Sequence, residues 1–226
     1  IGHAYEAIAS DCLSRYHRMY GRRVFFQTGT DEHGQKIAAA AEAEGKQPID
    51  ICDLYAGRFQ ELNQRLLISN DFYIRTTQPA HHAESQKLWL RCAEAGDIYL
   101  GKYEGWYNER EETFVSDKDA ELTDFKDAYG WPLKRTSEAS YFFRMGKYQE
   151  WLVQYINDHP EFIQPADKRA FILARLAEPL GDLSISRTTF RWGIPVPEGF
   201  DAAHVMYVWF DALSNYISSV HALDPG

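Results

Sequence analysis

The chain has 226 residues, of which 45% are hydrophobic and 15% aromatic, and a formal net charge of −9. That composition excludes a disordered chain and supports a packed core, and the length suits one large domain or a domain carrying a sizeable insertion. The acidic balance counts against a surface that coats nucleic acid without specificity, and no apolar run reaches the roughly 18 residues of a membrane-spanning helix.

From IGHAYEAIASD onward, Tyr5, Ile8, Ala9, Cys12, Tyr16 and Met19 recur at three- and four-residue steps. This predicts one face of a helix over residues 4–20, stopped by Gly21. VFFQT, residues 24–28, reads as a short buried strand, followed by the loop TGTDEHG and a helix opened by IAAAAEAEG. Pro48 and Asp50 start a third helix through Leu54, Phe59, Leu62 and Leu66 to about Ile68. FYIRT is the next strand, and 79–95 the next helix, closed by Gly96. Such alternation predicts an α/β fold, a parallel sheet with covering helices.

From Asp97 to about Tyr141 the texture changes to tyrosine, tryptophan, acidic residues and turn formers. DIYLGKYEGWY, ETFVS and WPLKRT read as short strands of a small antiparallel module, followed by helices over 146–158 and 166–180. FRWGIPVP and then HVMYVWFDAL, a strand leading into a helix, restore the earlier style. The chain therefore reads as one α/β domain interrupted by an insertion of about ninety residues. Cys12, Cys52 and Cys92 each lie in a helical pattern and match no zinc or disulfide spacing, which implies reduced, half-buried thiols in a cytosol-like compartment. Arg22-Arg23, Lys134-Arg135 and Lys168-Arg169 are solvated surface or a local basic face.

Four stretches could carry chemistry. Gly2 and His3 stand at a helix amino terminus, where free N–H groups and the helix dipole attract phosphate; the alternative is a capping turn with an incidental histidine. TGTDEHG follows a strand, where ligands of parallel sheets bind, and Asp31 could fix an ammonium group. Its alternative is helix capping by Thr30 or Asp31 with Glu32 and His33 solvated. In VMYVWFDALSNYI, Trp209, Ala212 and Tyr216 are spaced to line one apolar pocket, or are plain core. In DLSISRTTFRWGIPVP, Arg187 could meet an anion, or pair with Asp182.

Together, and in this order, these stretches resemble the class I aminoacyl-tRNA synthetases, and within them the methionyl branch. IGHAYEAIASD is similar to the family's His-Ile-Gly-His signature with its first histidine before residue 1. TGTDEHGQK, EGWY, SYFFR, DLSISR, WGIPVP and YVWFDALSNY extend the resemblance over essentially the whole chain. Thr30 stands where the leucine, isoleucine and valine enzymes carry tryptophan. The resemblance implies a Rossmann-type catalytic domain in two parts, 1–96 and 187–226, separated by a connective-peptide insertion at 97–186.

The implied activity is methionine activation by ATP, with its Mg2+, to methionyl-adenylate, then transfer to the 3' end of tRNA(Met) in the cytoplasm, an organelle being the other setting. By matching position, Gly2 and His3 would be catalytic and, with Glu6, would bind ATP. Asp31, Tyr207, Val208, Trp209, Ala212 and Tyr216 would bind methionine. YEGWYNEREETFVSDKDAEL holds no cysteine where many members carry zinc knuckles, so no metal, and no structural zinc in particular, is expected. The family's preceding strand and its Lys-Met-Ser-Lys-Ser loop do not fall within residues 1–226, so this segment alone is expected to form little adenylate. Two alternatives are another synthetase-like nucleotidyltransferase and a non-catalytic binding module.

Overall fold

In the computed structural model, which describes residues 1–108, 113–115 and 117–223, the first helix, α1, spans Gly2–Met19. Tyr5, Ile8, Tyr16 and Met19 do share its surface, but they are exposed, as is Cys12; the buried residues of α1 are Asp11 and Ser14. Periodicity shows which residues share a face and not which face is covered. Polar bonds fasten α1: the Ser69 backbone N–H and hydroxyl donate to Asp11 at 2.7 and 2.5 Å, and Arg18 donates to the Ser69 hydroxyl and the Asp71 carboxylate, each at 2.7 Å.

The chain divides into two compact units, Ile1–Arg91 with Thr189–Gly226, and Cys92–Thr188. In the first, β1 (Gln27–Thr30) starts later than the expected 24–28. The reason lies in Asp71, which binds Phe26 twice, through its own N–H to the Phe26 carbonyl (2.8 Å) and through its carboxylate to the Phe26 N–H (2.7 Å). Pairing begins just beyond. After α2 (Gln35–Ala43) and α3 (Pro48–Arg65), β2 (Phe72–Arg75) runs parallel to β1 in the register Gln27↔Phe72 to Thr30↔Arg75. Proline at the first turn and the reciprocal bonds of Gln47 and Asp50 fix the start of α3. At Gly29 the strands approach so closely that an added Cβ would lie 2.1 Å from the Ile74 carbonyl oxygen. α4 (Pro79–Glu94) carries the fully buried Trp89, against which Phe200 and Phe210 stand edge-on at 5.7 and 5.5 Å.

The second unit is antiparallel: β3 (Ile98–Asn108), β4 (Thr113–Val115), α5 (Asp117–Leu122), β5 (Lys134–Phe143), α6 (Gln149–Asp158), α7 (Ala166–Arg175) and β6 (Leu183–Ser184), with sheet order β4-β3-β5-β6. The ladder of β3 and β5 runs from Ile98↔Phe143 to Tyr107↔Lys134. α5, short and acidic in its first turn, is absent from the sequence reading. α6 begins after a 3-10 turn, Met145–Tyr148, and α7 stops short of residue 180 because the Gln149 amide takes the Leu176 and Glu178 carbonyls at 2.7 and 2.9 Å. Part of the cysteine-free stretch, 109–112 and 116, lies outside the described residues.

Back in the first unit, the expected strand HVMYVWF is extended only at Val205–Met206, where Val205 bridges Pro195. The Tyr207 and Val208 carbonyls then accept from the N–H groups of Phe210, Asp211 and Ala212, at 2.8–3.0 Å, which bends the chain into a turn. A 3-10 turn, Ala212–Ser214, and α8 (Asn215–Leu223) follow.

Candidate active site

The loop TGTDEHG leaves the carboxyl end of β1 and enters α2 through Gly34, whose φ of +108° is a conformation that side chains rarely adopt. Its charged residues part company. Asp31 is exposed, whereas Glu32 is 3% exposed and is gripped by Arg75 through both oxygens, at 2.7 and 3.0 Å, and by the Thr30 and Thr77 hydroxyls. Arg75 also reaches Asp53 at 2.6 Å, and these two carboxylates raise its pKa above the ordinary value for arginine. The Glu32 carbonyl accepts from the Trp192 indole at 2.6 Å and from Cys52 at 3.4 Å. Burial pushes the Cys52 thiol up to about 11, so it is protonated and inert at neutral pH.

His33 is not solvated either. Its Nδ1 lies 2.6 Å from Asp211 Oδ2, and its ring packs 5.4 Å from Trp192 and 5.4 Å from His82. The solvated alternative for Glu32 and His33 therefore does not hold: the loop is pinned from below by both, and Asp31 alone among its acids projects outward. Burial, reinforced by neighbouring His33, lowers the His82 pKa. At Asp211 burial favours the neutral acid, but bonds from His33 and His81 outweigh it and hold the carboxyl below the usual range.

Two clefts meet at this loop. The larger, about 470 Å³, is lined by His3, Glu6 and Ser10 of α1, by residues 26–31, and by Phe59, Leu62, Asn63 and Tyr73. The smaller, about 240 Å³, shares residues 27–31 and adds Ile74, Thr76, Ala212, Asn215 and Tyr216. Asp31 lies on both. The structure thus brings His3, Glu6, Asp31, Ala212 and Tyr216 to one connected surface.

Gly2 starts α1 next to His3 but lines neither cleft, and a Cβ there would meet nothing within 4 Å, so the packing of the protein itself does not require glycine at this place. The His3 ring stands edge-on to Phe59 at 4.9 Å. Tyr207 is buried, Val208 is half-buried and Trp209 is 42% exposed, and none of the three lines either cleft. The Trp209 ring stands edge-on to that of Tyr207 at 6.5 Å. Gln27, Thr28 and Tyr73 line the larger cleft without any signal in the sequence, since only the strand pairing brings them there.

In the second unit, Arg187 meets a different anion from the one its spacing suggested. It is 1% exposed, lies 3.7 Å from Glu138, and donates to the Ser184 hydroxyl and the Ser186 carbonyl. Asp182 instead accepts from the Tyr99 hydroxyl at 2.8 Å. Among the described residues no group of three or more His, Cys, Asp or Glu could hold a metal ion, and no helix is long and apolar enough to cross a membrane.

A parallel α/β unit with clefts beyond a strand's carboxyl end, interrupted by an antiparallel insertion, defines the class: a Rossmann-type α/β fold. The family model for class I tRNA synthetases (M) matches residues 1–130 and 129–225, and the chain belongs to that family. It is 46% identical over 229 aligned residues to the methionine–tRNA ligase of Rhizobium meliloti (strain 1021), covering 100% of this chain and 44% of that protein. It is 45% identical to the Listeria monocytogenes serovar 1/2a methionine–tRNA ligase, covering 97% of this chain and 34% of that one.

The crystal structure of Mycobacterium tuberculosis methionyl-tRNA synthetase bound by methionyl-adenylate superposes with a TM-score of 0.88 at 44% identity, over 96% of this chain and 43% of that one. The free form of the same enzyme gives 0.76 at 41% identity, over 99% and 42%. The chain thus spans less than half the length of the curated relatives it matches.

Proposed function

We propose that the protein carrying this chain activates methionine with ATP, as MgATP, to methionyl-adenylate and then transfers the methionyl group to the 3' end of tRNA(Met). The observation that supports it most is the position of Asp31, on a surface continuous with His3 and Glu6 on one side and with Ala212 and Tyr216 on the other. On this reading the methionine ammonium binds Asp31 and the thioether lies against Ala212 and Tyr216; Tyr207, Val208 and Trp209, which line neither cleft, belong to the turn that leads into this wall. Gly2 leaves the adenine room, while His3 and Glu6 face the nucleotide. A methionine carboxylate oxygen attacks the α-phosphorus, the bond to the bridging oxygen breaks, and pyrophosphate leaves with that electron pair. The protein's part is alignment and stabilisation of charge on the phosphate oxygens.

The same reading assigns 1–96 and 187–226 to the catalytic domain and 97–186 to the insertion, without structural zinc, and places the protein in the cytoplasm. The methionine–tRNA ligase of Rhizobium meliloti and the methionyl-adenylate complex of the Mycobacterium tuberculosis enzyme support the methionine-activation part of this reading. The test is ATP–pyrophosphate exchange by the intact protein across a panel of amino acids. Methionine is expected to exceed leucine and isoleucine by about a hundredfold in kcat/KM, the range open to shape discrimination between apolar side chains. Preference for another amino acid would refute the assignment.

A further inference from the structure

The candidate methionine site has two walls from distant parts of the chain: the loop bearing Asp31, and the segment bearing Ala212 and Tyr216. Between them, beneath the cleft, lies Asp211. Its side chain is 3% exposed and that of its partner His33 is 6% exposed, at 2.6 Å. His33 follows Asp31 by two residues, and Asp211 immediately precedes Ala212. The second Asp211 oxygen faces His81 Nε2 of α4 at 3.4 Å.

His81 is itself fully buried, and its Nδ1 lies 2.8 Å from the Ser218 hydroxyl of α8. One turn along α4, Ser85 contacts the Ser214 hydroxyl at 2.7 Å. Asp211 thus ties the Asp31 loop and α4 to the turn that carries the thioether wall. A carboxylate buried this deeply is costly unless its hydrogen bonds are made, and here two imidazoles from separate elements supply them. It lines neither cleft.

We propose that Asp211 is a positioning residue for the methionine half of the site, setting the distance between Asp31 and the wall formed by Ala212 and Tyr216 through its bond to His33. This rests on the methionine-activation reading above. The side-chain bonds of Asp211 go to His33 and His81 and not to α1, which carries Gly2, His3 and Glu6, so the nucleotide contacts of that helix stand without it even though the Asp31 loop borders both clefts. That separation gives a signature a purely structural carboxylate lacks. Loss of folded protein lowers the active fraction and leaves both Michaelis constants where they were, whereas a displaced wall raises the constant for methionine alone.

The experiment measures methionine-dependent ATP–pyrophosphate exchange by the intact protein for Asp211→Asn, His33→Phe and His33→Asn, with KM for each substrate, kcat and thermal melting recorded separately. Phenylalanine keeps the ring volume without a donor; asparagine keeps a donor near the place of the His33 Nδ1. Asp211→Asn and His33→Phe are expected to raise the methionine KM on the order of tenfold, with the ATP KM within about twofold, and His33→Asn to recover most of that loss. An unmoved methionine KM in His33→Phe, an equal rise for both substrates, or His33→Asn as impaired as His33→Phe would overturn the proposal. The His33 pair carries the decision if Asp211→Asn does not fold. Wild-type protein without methionine-dependent exchange refutes the function and this inference together; an active wild type with unmoved constants refutes the inference alone.

Discussion

At the residue scale, two acids adjacent in sequence do opposite work. Asp31 is exposed on the clefts, and Glu32 is sealed beneath them against Arg75. Asp31→Ala removes a charge-assisted bond worth about 2 kcal/mol, so the methionine KM should rise roughly thirtyfold in pyrophosphate exchange with the fold intact; an unchanged KM removes the carboxylate from the site. Glu32→Gln leaves Arg75 with the half-solvated Asp53 and should cost about 3 kcal/mol in denaturant titrations, without a selective change in KM. Gly29→Ala should also destabilise, by about 1–3 kcal/mol, because its Cβ would meet the Ile74 carbonyl and the branched Cγ2 of the same residue, neither of which can swing away. The motif TGTDEHG marked the place of this chemistry in the sequence. It points to Asp31 but leaves the burial of Glu32 and His33 unreadable, because their partners Arg75 and Asp211 lie 43 and 178 residues away.

At the element scale, α1 shows that residues sharing a helix face need not be the ones the fold covers. Its apolar residues are exposed, and it is fastened by Asp11 and Arg18 to the turn at Ser69–Asp71. Removing the Asp11 carboxylate orphans two donors on Ser69, a loss of about 2 kcal/mol. Amide exchange in α1 of Asp11→Ala should therefore quicken about thirtyfold while exchange in α4 stays near wild type; uniform protection across both helices would show that the anchor lies elsewhere. The order of helices and strands up to Gly96 was legible because the apolar run 24–26 leads into β1 and the run 72–74 opens β2, each between helical patterns. The turn at residues 207–211 was not, since its aromatic run has the composition of a strand and only the captured Tyr207 and Val208 carbonyls reveal the bend.

At the scale of the whole molecule, buried titratable groups set the dependence of stability on pH. Burial lowers the pKa values of His82 and His204 below 6.5, so the unfolded chain binds protons that the folded one refuses. Their contribution is complete above about pH 6.5 and declines as the pH falls below it. Asp11, Asp97 and Asp211, held below 3.8 by bonds to Ser69 and Arg15, to Lys147 and Tyr148, and to His33 and His81, contribute stability above that value and lose it as the pH falls through their folded values. Melting temperature should thus fall in two stages, below about pH 6.5 and again below about pH 4; a profile flat from pH 7 to 5 contradicts the burial of the two imidazoles.

The proposed activity needs one surface, with Asp31 at its middle, to align methionine and ATP. The most direct measurement is a crystal structure of the intact protein with a non-hydrolysable methionyl-adenylate analogue. The account predicts the ammonium about 3 Å from Asp31, the thioether against Ala212 and Tyr216, and the nucleotide beside Gly2 and His3. An analogue bound with its ammonium away from Asp31, or outside both clefts, would contradict it.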